Sequence, residues 1–404
     1  MKGLGVSEVI VAPVVSMIDE KAFELCLKSA LLKEVDLKIR VTSNHSINPP
    51  SVNDWAVLSL LPAAMKHDAT LSVKGEISSH LYSNIENVMA ALSHNNPNWK
   101  PVAVQPEHVS SQRRAQVRRR AVGFSAGVDS FATLARYSKD PMRRITDLTY
   151  GNVGTLGETC DPDVKRLFAR GLERVQSASK ALNTNWIAID SNFDETLGQG
   201  EFNFLHTLTL RNAIMASVLE GSIDEYLYSS SGYRYADVSV GPPKGLAGTS
   251  AMDPVFMPMV SSNNIRIFPA VHDLVRTEKI KLVSDFPMSF DQLDVCLLPG
   301  KSRMELPQLN CSRCYKCQMT MLALDAHGKL ANYASVFDLD CYAKNKKRFI
   351  ENAVLAAPNG NAMKKELVQS FRKAGWSVPS VSLVRARRTG GRIRRNIRKI
   401  LRIR

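Results

Sequence analysis

The sequence predicts an α/β protein: a doubly wound parallel sheet, preceded by an α+β domain and followed by a cysteine-bearing helical segment. Three observations carry this. Between about residues 118 and 290, apolar strand candidates alternate with amphipathic helices. A turn of small residues follows the first of those strands, where open α/β sheets bind ligands. Beyond the alternating region, three cysteines fall within seven residues, with a fourth fifteen residues upstream of the first.

Taken in order, residues 1–110 mix strand-like segments (Leu37 to Thr42, Thr70 to Val73) with helical ones at Lys21 to Leu32, Trp55 to Lys66 and Ser83 to Leu92. Val9 to Val15 reads as a strand or two, broken by Pro13. The nearly all-apolar run from Asp54 to Met65 suggests core packing, and the region shows no recognisable chemistry. In the second region, about 118 to 290, the strands expected are Arg120 to Phe124, Ile145 to Tyr150, Trp186 to Asp190 and Glu225 to Ser229. Between them lie helical patterns at Ser130 to Tyr137, Val164 to Leu182 and Leu205 to Leu219. The third region, 291–376, holds the cysteine cluster and at least two helices; residues 380–404 form a basic tail.

The turn is the most informative segment. From Gly123 it reads Gly-Phe-Ser-Ala-Gly-Val-Asp-Ser, so Ser125, Ala126 and Gly127 place almost no bulk around the backbone. Successive N–H groups can then point inward as an anion nest, and the helix that follows aims the positive end of its dipole at the same place. Ser125 and Ser130 add hydroxyls, and Asp129 adds a carboxylate suited to Mg²⁺ beside a polyphosphate. No Gly-Lys-Ser/Thr follows, which excludes a Walker A loop. A plain strand-to-helix turn with an Asp or Ser cap is the alternative.

The second constellation is Cys311-x₂-Cys314-x₂-Cys317 with Cys296. Four thiolates close a tetrahedral Zn²⁺ site and leave no position for substrate, so the metal reads as structural. Cys341 and His327 are alternative fourth ligands, and an iron–sulfur cluster is the competing metal.

The Ser125–Ser130 stretch resembles the Ser-Gly-Gly-X-Asp-Ser signature of the PP-loop ATP pyrophosphatase superfamily, with Ala126 in place of the first Gly. Together with the thiol cluster it is most similar to the 7-cyano-7-deazaguanine synthase branch. Further similar segments run in order: Leu148 to Asn152, Leu210 to Ile214, Tyr228 to Gly232 and Val275 to Ile280. The resemblance spans about residues 118 to 325, outside the first 110 residues and the tail. It implies a Rossmann-like nucleotide fold and an enzyme that uses ATP to adenylate a carboxylate, amide or carbonyl oxygen, releasing pyrophosphate before a nucleophile displaces AMP. By the same resemblance, residues 125–130 (Val128 included) would hold pyrophosphate, and Tyr150 and Gly151 would receive adenosine. Arg211, Arg276 and Lys279 would reach phosphate or an acidic substrate. His206 is a weaker candidate for proton transfer, and Glu158, Cys160 and Asp161 are weaker candidates at the substrate entrance, Cys160 as a sulfur nucleophile. A tRNA-modifying enzyme and a nucleotide-binding module without turnover are the alternatives.

The chain has 404 residues and a net charge of +15, ten charges of which fall in the last twenty residues. Ile393, Ile397, Ile400 and Leu401 recur at helical spacing among the arginines there. An anionic membrane surface is the expected partner of such a basic amphipathic segment, and nucleic acid is the second. No run approaches the about 18 apolar residues that span a bilayer. No secretory signal is visible, and seven cysteines in this pattern suit a reducing cytoplasm, with the tail peripheral at the inner membrane face. A homo-oligomer is compatible with all of this.

Overall fold

The computed structural model describes residues 8–32, 35–197, 202–230, 234–235, 238, 249–298, 300–358 and 362–390. The chain divides into two compact units, Met1–Asp273 with Pro299–Met304, and Leu274–Leu298 with Glu305–Arg404.

Among the described residues the first unit carries eleven strands: β1 (Glu8–Val11), β2 (Val14–Asp19), β3 (Ala22–Leu27), β4 (Leu37–Ser43), β5 (Thr70–Ser78), β6 (Val104–Ser110), β7 (Arg120–Gly123), β8 (Asp147–Asn152), β9 (Asn185–Ser191), β10 (Glu225–Ser229) and β11 (Arg266–Ala270). Its described helices up to Asp273 are α1 (Asp54–His67), α2 (Ser79–Asn95), α3 (Val128–Tyr137), α4 (Pro162–Leu182), α5 (Phe193–Leu197), α6 (Phe204–Ser217) and α7 (Asp253–Met259). Strands β1, β5 and β6 make a small parallel sheet in the order β1-β5-β6. The other eight lie in the order β11-β10-β7-β8-β9-β4-β3-β2. From β11 to β9 every pairing is parallel, and from β9 outward every pairing is antiparallel. The chain winds one way through β7, β8 and β9, then returns to the far side of β7 for β10 and β11. The order therefore reverses between β7 and β10, and the carboxyl ends of these two strands border the crevice where such sheets hold ligands.

β7 forms here because Ala121 and Val122 are fully buried between neighbours on both sides. Its last residue is glycine for a steric reason. A Cβ at that position would meet the Tyr226 hydroxyl at 2.9 Å, and that hydroxyl shares a 3.0 Å hydrogen bond with Thr149. In α3 the buried set Phe131, Ala132, Leu134 and Ala135 faces the sheet.

Two expectations change. Lys21 to Leu32, expected as a helix, contains β3, which pairs on one side with β2 and on the other with β4. Cross-strand pairing outweighs the helix-favouring local composition. Residues 1–110 do not close a core of their own: Val41 pairs with Ile189, and Phe23, Trp55 and Leu58 share one hydrophobic cluster with Ile187, Leu210 and Tyr226. The buried run of α1 does pack as core, from Asp54 through Met65.

The second unit is helical: α8 (Arg276–Ser284), α9 (Ser289–Gln292), α11 (Tyr315–Ala326), α12 (Leu339–Ala356) and α13 (Ala362–Lys373), with α10 (Gly300–Met304) assigned to the first unit. A further helix covers residues 381–390. Met321, Leu322, Phe337, Phe349, Leu367 and Phe371 are buried. The segment Val275 to Ile280 lies in this second unit, with the cysteines. Of the tail, residues 391–404 lie outside the described residues, as do Ser231 and Gly232. Among the described residues no helix is long and apolar enough to cross a membrane.

Candidate functional site

The turn after β7 is held from both ends by apolar side chains. Phe124 and Phe131 meet edge to face with ring centroids 5.1 Å apart, both nearly fully buried, and the Phe124 N–H donates to the Thr149 carbonyl at 2.7 Å. Between these anchors Ser125 is exposed and Ala126 is 2% exposed with φ of 57°. That is the left-handed region, which costs a residue with a Cβ about 1–2 kcal/mol. Ala126 thus holds the backbone shape that glycine adopts freely, and its methyl is tucked into the fold. Gly127 caps α3 in extended conformation, and no side chain caps that helix. The Ser130 hydroxyl donates to the Gly127 carbonyl at 3.0 Å, which braces the turn. Val128 is buried and Asp129 half-buried in the first helical turn.

At the neighbouring strand end, Tyr228 donates its hydroxyl to Asp253, which also accepts from the Thr209 hydroxyl at 2.6 Å. Burial first, then the Asp253 charge, with a contribution from Asp129, hold the Tyr228 phenol well above its ordinary value. Asp129, Tyr228 and Asp253 therefore form one electrostatically coupled group where the strand order reverses. Asp253 and Thr209 carry no sequence signal: Asp253 reads as an ordinary Asp-Pro helix start.

The other sequence-derived residues fall as follows. Tyr150 stacks its ring on Phe168 of α4, with centroids 5.1 Å apart, and occupies the space left by Gly171, where a Cβ would lie 2.0 Å from its hydroxyl. Its ring belongs to the core, so β8 has only backbone to offer at this point. Gly151 likewise makes room, for the Met215 sulfur. Arg211 is 1% exposed, and its guanidinium donates to Thr207 Oγ1 at 2.8 Å, the Val153 carbonyl at 3.0 Å, Asp194 Oδ1 at 2.7 Å and the Phe202 carbonyl at 2.9 Å. Four donors are spent inside the fold, so Arg211 acts as a clasp on the loop after β8. Asp161 caps α4 through the N–H groups of Asp163 and Val164. Burial pushes the Cys160 thiol up to about 11, the wrong direction for a nucleophile. His206 is half-buried and Glu158 exposed.

In the second unit Arg276 is half-buried and Lys279 fully buried on α8. Cys296, Cys311, Cys314 and Cys317 converge there, with all four sulfurs within 4.8 Å of one another. The Cys311–Cys317 and Cys314–Cys317 sulfur separations are 3.8 and 3.3 Å. A tetrahedral zinc with 2.3 Å bonds needs sulfurs about 3.8 Å apart, so the donor set and its spacing fit the ion. Local structure explains the convergence. Ser312, at φ of 57°, bends the Cys311–Cys314 loop, and the Cys314 N–H donates to the Cys311 sulfur at 3.2 Å. Cys314 caps α11 and Cys317 lies in its first turn, so the helix dipole favours thiolates. Asn310 stitches the segment before Cys296 alongside, accepting from the Val295 N–H and donating to the Leu293 carbonyl, both at 2.8 Å.

The protons of these thiols are strongly interdependent. Hydrogen bonds from Cys296 and Cys317 push Cys314 far down, whereas Cys296 and Cys314 push Cys317 far up. Four thiolates at this spacing require a cation. The alternative fourth ligands lie outside the cluster: the Cys341 sulfur accepts from Arg313 Nε at 3.4 Å, and His327 Nε2 lies 3.3 Å from the Thr277 carbonyl. The cluster can therefore hold a metal through four cysteines, and its closed coordination sphere marks that metal as structural. Comparison of the chain with protein-family models, curated proteins and solved structures found no match.

Proposed function

We propose that the protein is an ATP-dependent, AMP- and pyrophosphate-forming enzyme of the PP-loop type. It would adenylate a carboxylate or carbonyl oxygen of a small-molecule or biosynthetic intermediate for attack by a nitrogen or sulfur nucleophile. The observation that carries this reading is the turn after β7. Its small residues, its left-handed Ala126 and the uncapped start of α3 stand where the strand order reverses. N–H groups fixed there before substrate arrives stabilise charge that develops on a departing diphosphate, without reorganisation at the moment of reaction. The exposed Ser125 adds a hydroxyl donor. Asp129 would hold Mg²⁺, whose chemistry at this point is to screen phosphate charge. Ala126 is compatible with turnover because its methyl is buried. A PP-loop Rossmann-like, doubly wound fold is the finer description this reading gives to the parallel sheet. The metal held by the four cysteines, zinc in this reading, keeps the second unit folded and takes no part in the chemistry.

The test measures AMP and pyrophosphate release from Mg²⁺-ATP with panels of carboxylate acceptors, with and without RNA. Turnover that Asp129→Asn abolishes while metal content is unchanged supports the proposal. Unchanged turnover in that variant refutes the assignment of the turn, and turnover strictly dependent on RNA would transfer the protein to the tRNA-modifying class.

A further inference from the structure

The positive charge of the chain is confined to its last part. Residues 341–404 carry eighteen lysines and arginines against two acids, an excess that by itself accounts for the +15 of the whole chain, so the first 340 residues together are close to neutral. Both acids, Glu351 and Glu366, are half-buried, and Glu351 is answered by Arg387 Nη1 at 3.7 Å. On α12 the exposed Lys344, Lys347 and Arg348 stand at i, i+3 and i+4 and share one face. The helix over residues 381–390 lies against α12: Val384 is fully buried, Arg387 reaches Glu351, and Arg388 Nη2 donates to Asn352 Oδ1 at 2.7 Å. Its Arg385, Arg387 and Arg388 are exposed. A cavity of about 480 Å³ between the two helices is lined by Lys346, Lys347 and Arg387 together with Ile350, Pro379 and Leu383. Leu383, one turn before Arg387, is 44% exposed.

We propose that α12 and the 381–390 helix dock on an anionic membrane, with a phospholipid headgroup phosphate held by Lys347 and Arg387 and with Leu383 dipping into the boundary between headgroups and acyl chains. Concentrated positive charge on a nearly neutral protein attracts polyanions of any kind. The apolar lining decides between them. Nucleic acid offers phosphates and bases, and a protein that grips unpaired bases presents aromatic faces on which they stack. None of the described lining residues is aromatic. Trp376, next to Ser377 of the cavity wall, already carries Lys346 Nζ at 4.0 Å and stacks on Phe371 with centroids 5.0 Å apart, so its ring is taken up within the unit. A phospholipid instead offers phosphate to the cations and hydrocarbon to Leu383 and Ile350. Lys346 is held by Asp325 at 2.7 Å, which leaves the phosphate to Lys347 and Arg387. Residues 391–404, which follow directly, continue the same mixture of arginines and apolar side chains in sequence. The contact proposed here is with the folded helices and does not depend on that segment or on the chemistry proposed for the turn after β7.

The test is co-sedimentation of the full chain with lipid vesicles at about 0.1 M salt, where exposed charges act over about 10 Å. Binding is expected to vesicles of equal parts phosphatidylcholine and phosphatidylglycerol, and not to phosphatidylcholine alone. The triple variant Lys344→Gln, Lys347→Gln, Arg348→Gln should keep its thermal melt, because all three side chains are exposed. It should bind about a hundredfold more weakly, at about fivefold for each cation near the surface. Leu383→Ser is expected to weaken vesicle binding as well, since it removes the apolar contact and leaves every charge in place. Absence of binding, equal binding to neutral vesicles, or a triple variant that binds as the parent does overturns the proposal. A short RNA duplex bound more tightly than the anionic vesicles at the same salt, with Leu383→Ser indifferent in both assays, overturns it in favour of nucleic acid.

Discussion

Replacing Arg211 with methionine separates two accounts of that residue. The guanidinium is 1% exposed and joins α6 to four places: Thr207 one turn back, the Val153 carbonyl after β8, Asp194 in α5 and the Phe202 carbonyl. Its Nη1 also packs against Gly154, where a Cβ would approach to 2.6 Å. Arg211→Met keeps much of the volume but leaves Asp194, which is 14% exposed in its side chain, without its ionic partner. Two carbonyl oxygens lose donors as well. Removing one member of a buried ion pair costs about 3–5 kcal/mol, most of it the uncompensated charge left behind. With a urea dependence of about 3 kcal/mol per molar, the midpoint should fall by about 1–1.7 M. Trp55 and Trp99, both buried in the first unit, report that transition by fluorescence. A midpoint unchanged in Arg211→Met while ATP turnover disappears would refute the clasp and return Arg211 to the substrate.

Two further outcomes are expected. Zinc measured on purified protein should be close to one per chain, lost in Cys296→Ser and Cys311→Ser and retained in Cys341→Ser; loss in the last variant would show that the fourth ligand has been misassigned. Burial pushes the Asp54 carboxyl from its ordinary 3.8 up to about 7, although it accepts from the Ser78 N–H at 2.8 Å and from the Ser78 hydroxyl. Between those values the native state keeps a proton that the unfolded chain has released. Stability from this group is therefore present at the acid end and declines as pH rises toward 7, by up to about 1.4 kcal/mol per pH unit. Asp54→Asn should remove that part of the slope in urea midpoints measured between pH 5 and 7, and an identical slope would contradict the assignment.

The sequence made some of this legible because the signals were local. β7, β8, β9 and β10 each show as an apolar run, and three of the four cysteine ligands lie within one loop and one helical turn. What it concealed depends on partners far along the chain. The strand β3 looks helical until β2 and β4 are set beside it, and β4 joins the parallel sheet through β9, about 150 residues later. Cys296 joins the other three through Asn310, whose side chain ties residues 293–295 to the segment before Cys311, a pairing that sequence alone does not show. Arg211 reads in sequence as a phosphate-binding residue type, but its burial directs its donors to the protein itself. Asp253 was invisible because its relation to Tyr228 and Thr209 exists only after the helices have packed.

The central claim is that the backbone from Ser125 to Ser130 receives the diphosphate of a nucleoside triphosphate. A crystal grown with Mg²⁺ and α,β-methylene-ATP tests it most directly. Diphosphate oxygens accepting from the N–H groups of residues 126 to 129, with the cation on Asp129, is the result this account predicts. Nucleotide bound elsewhere with this turn vacant, or no bound nucleotide at saturating concentration, would contradict it.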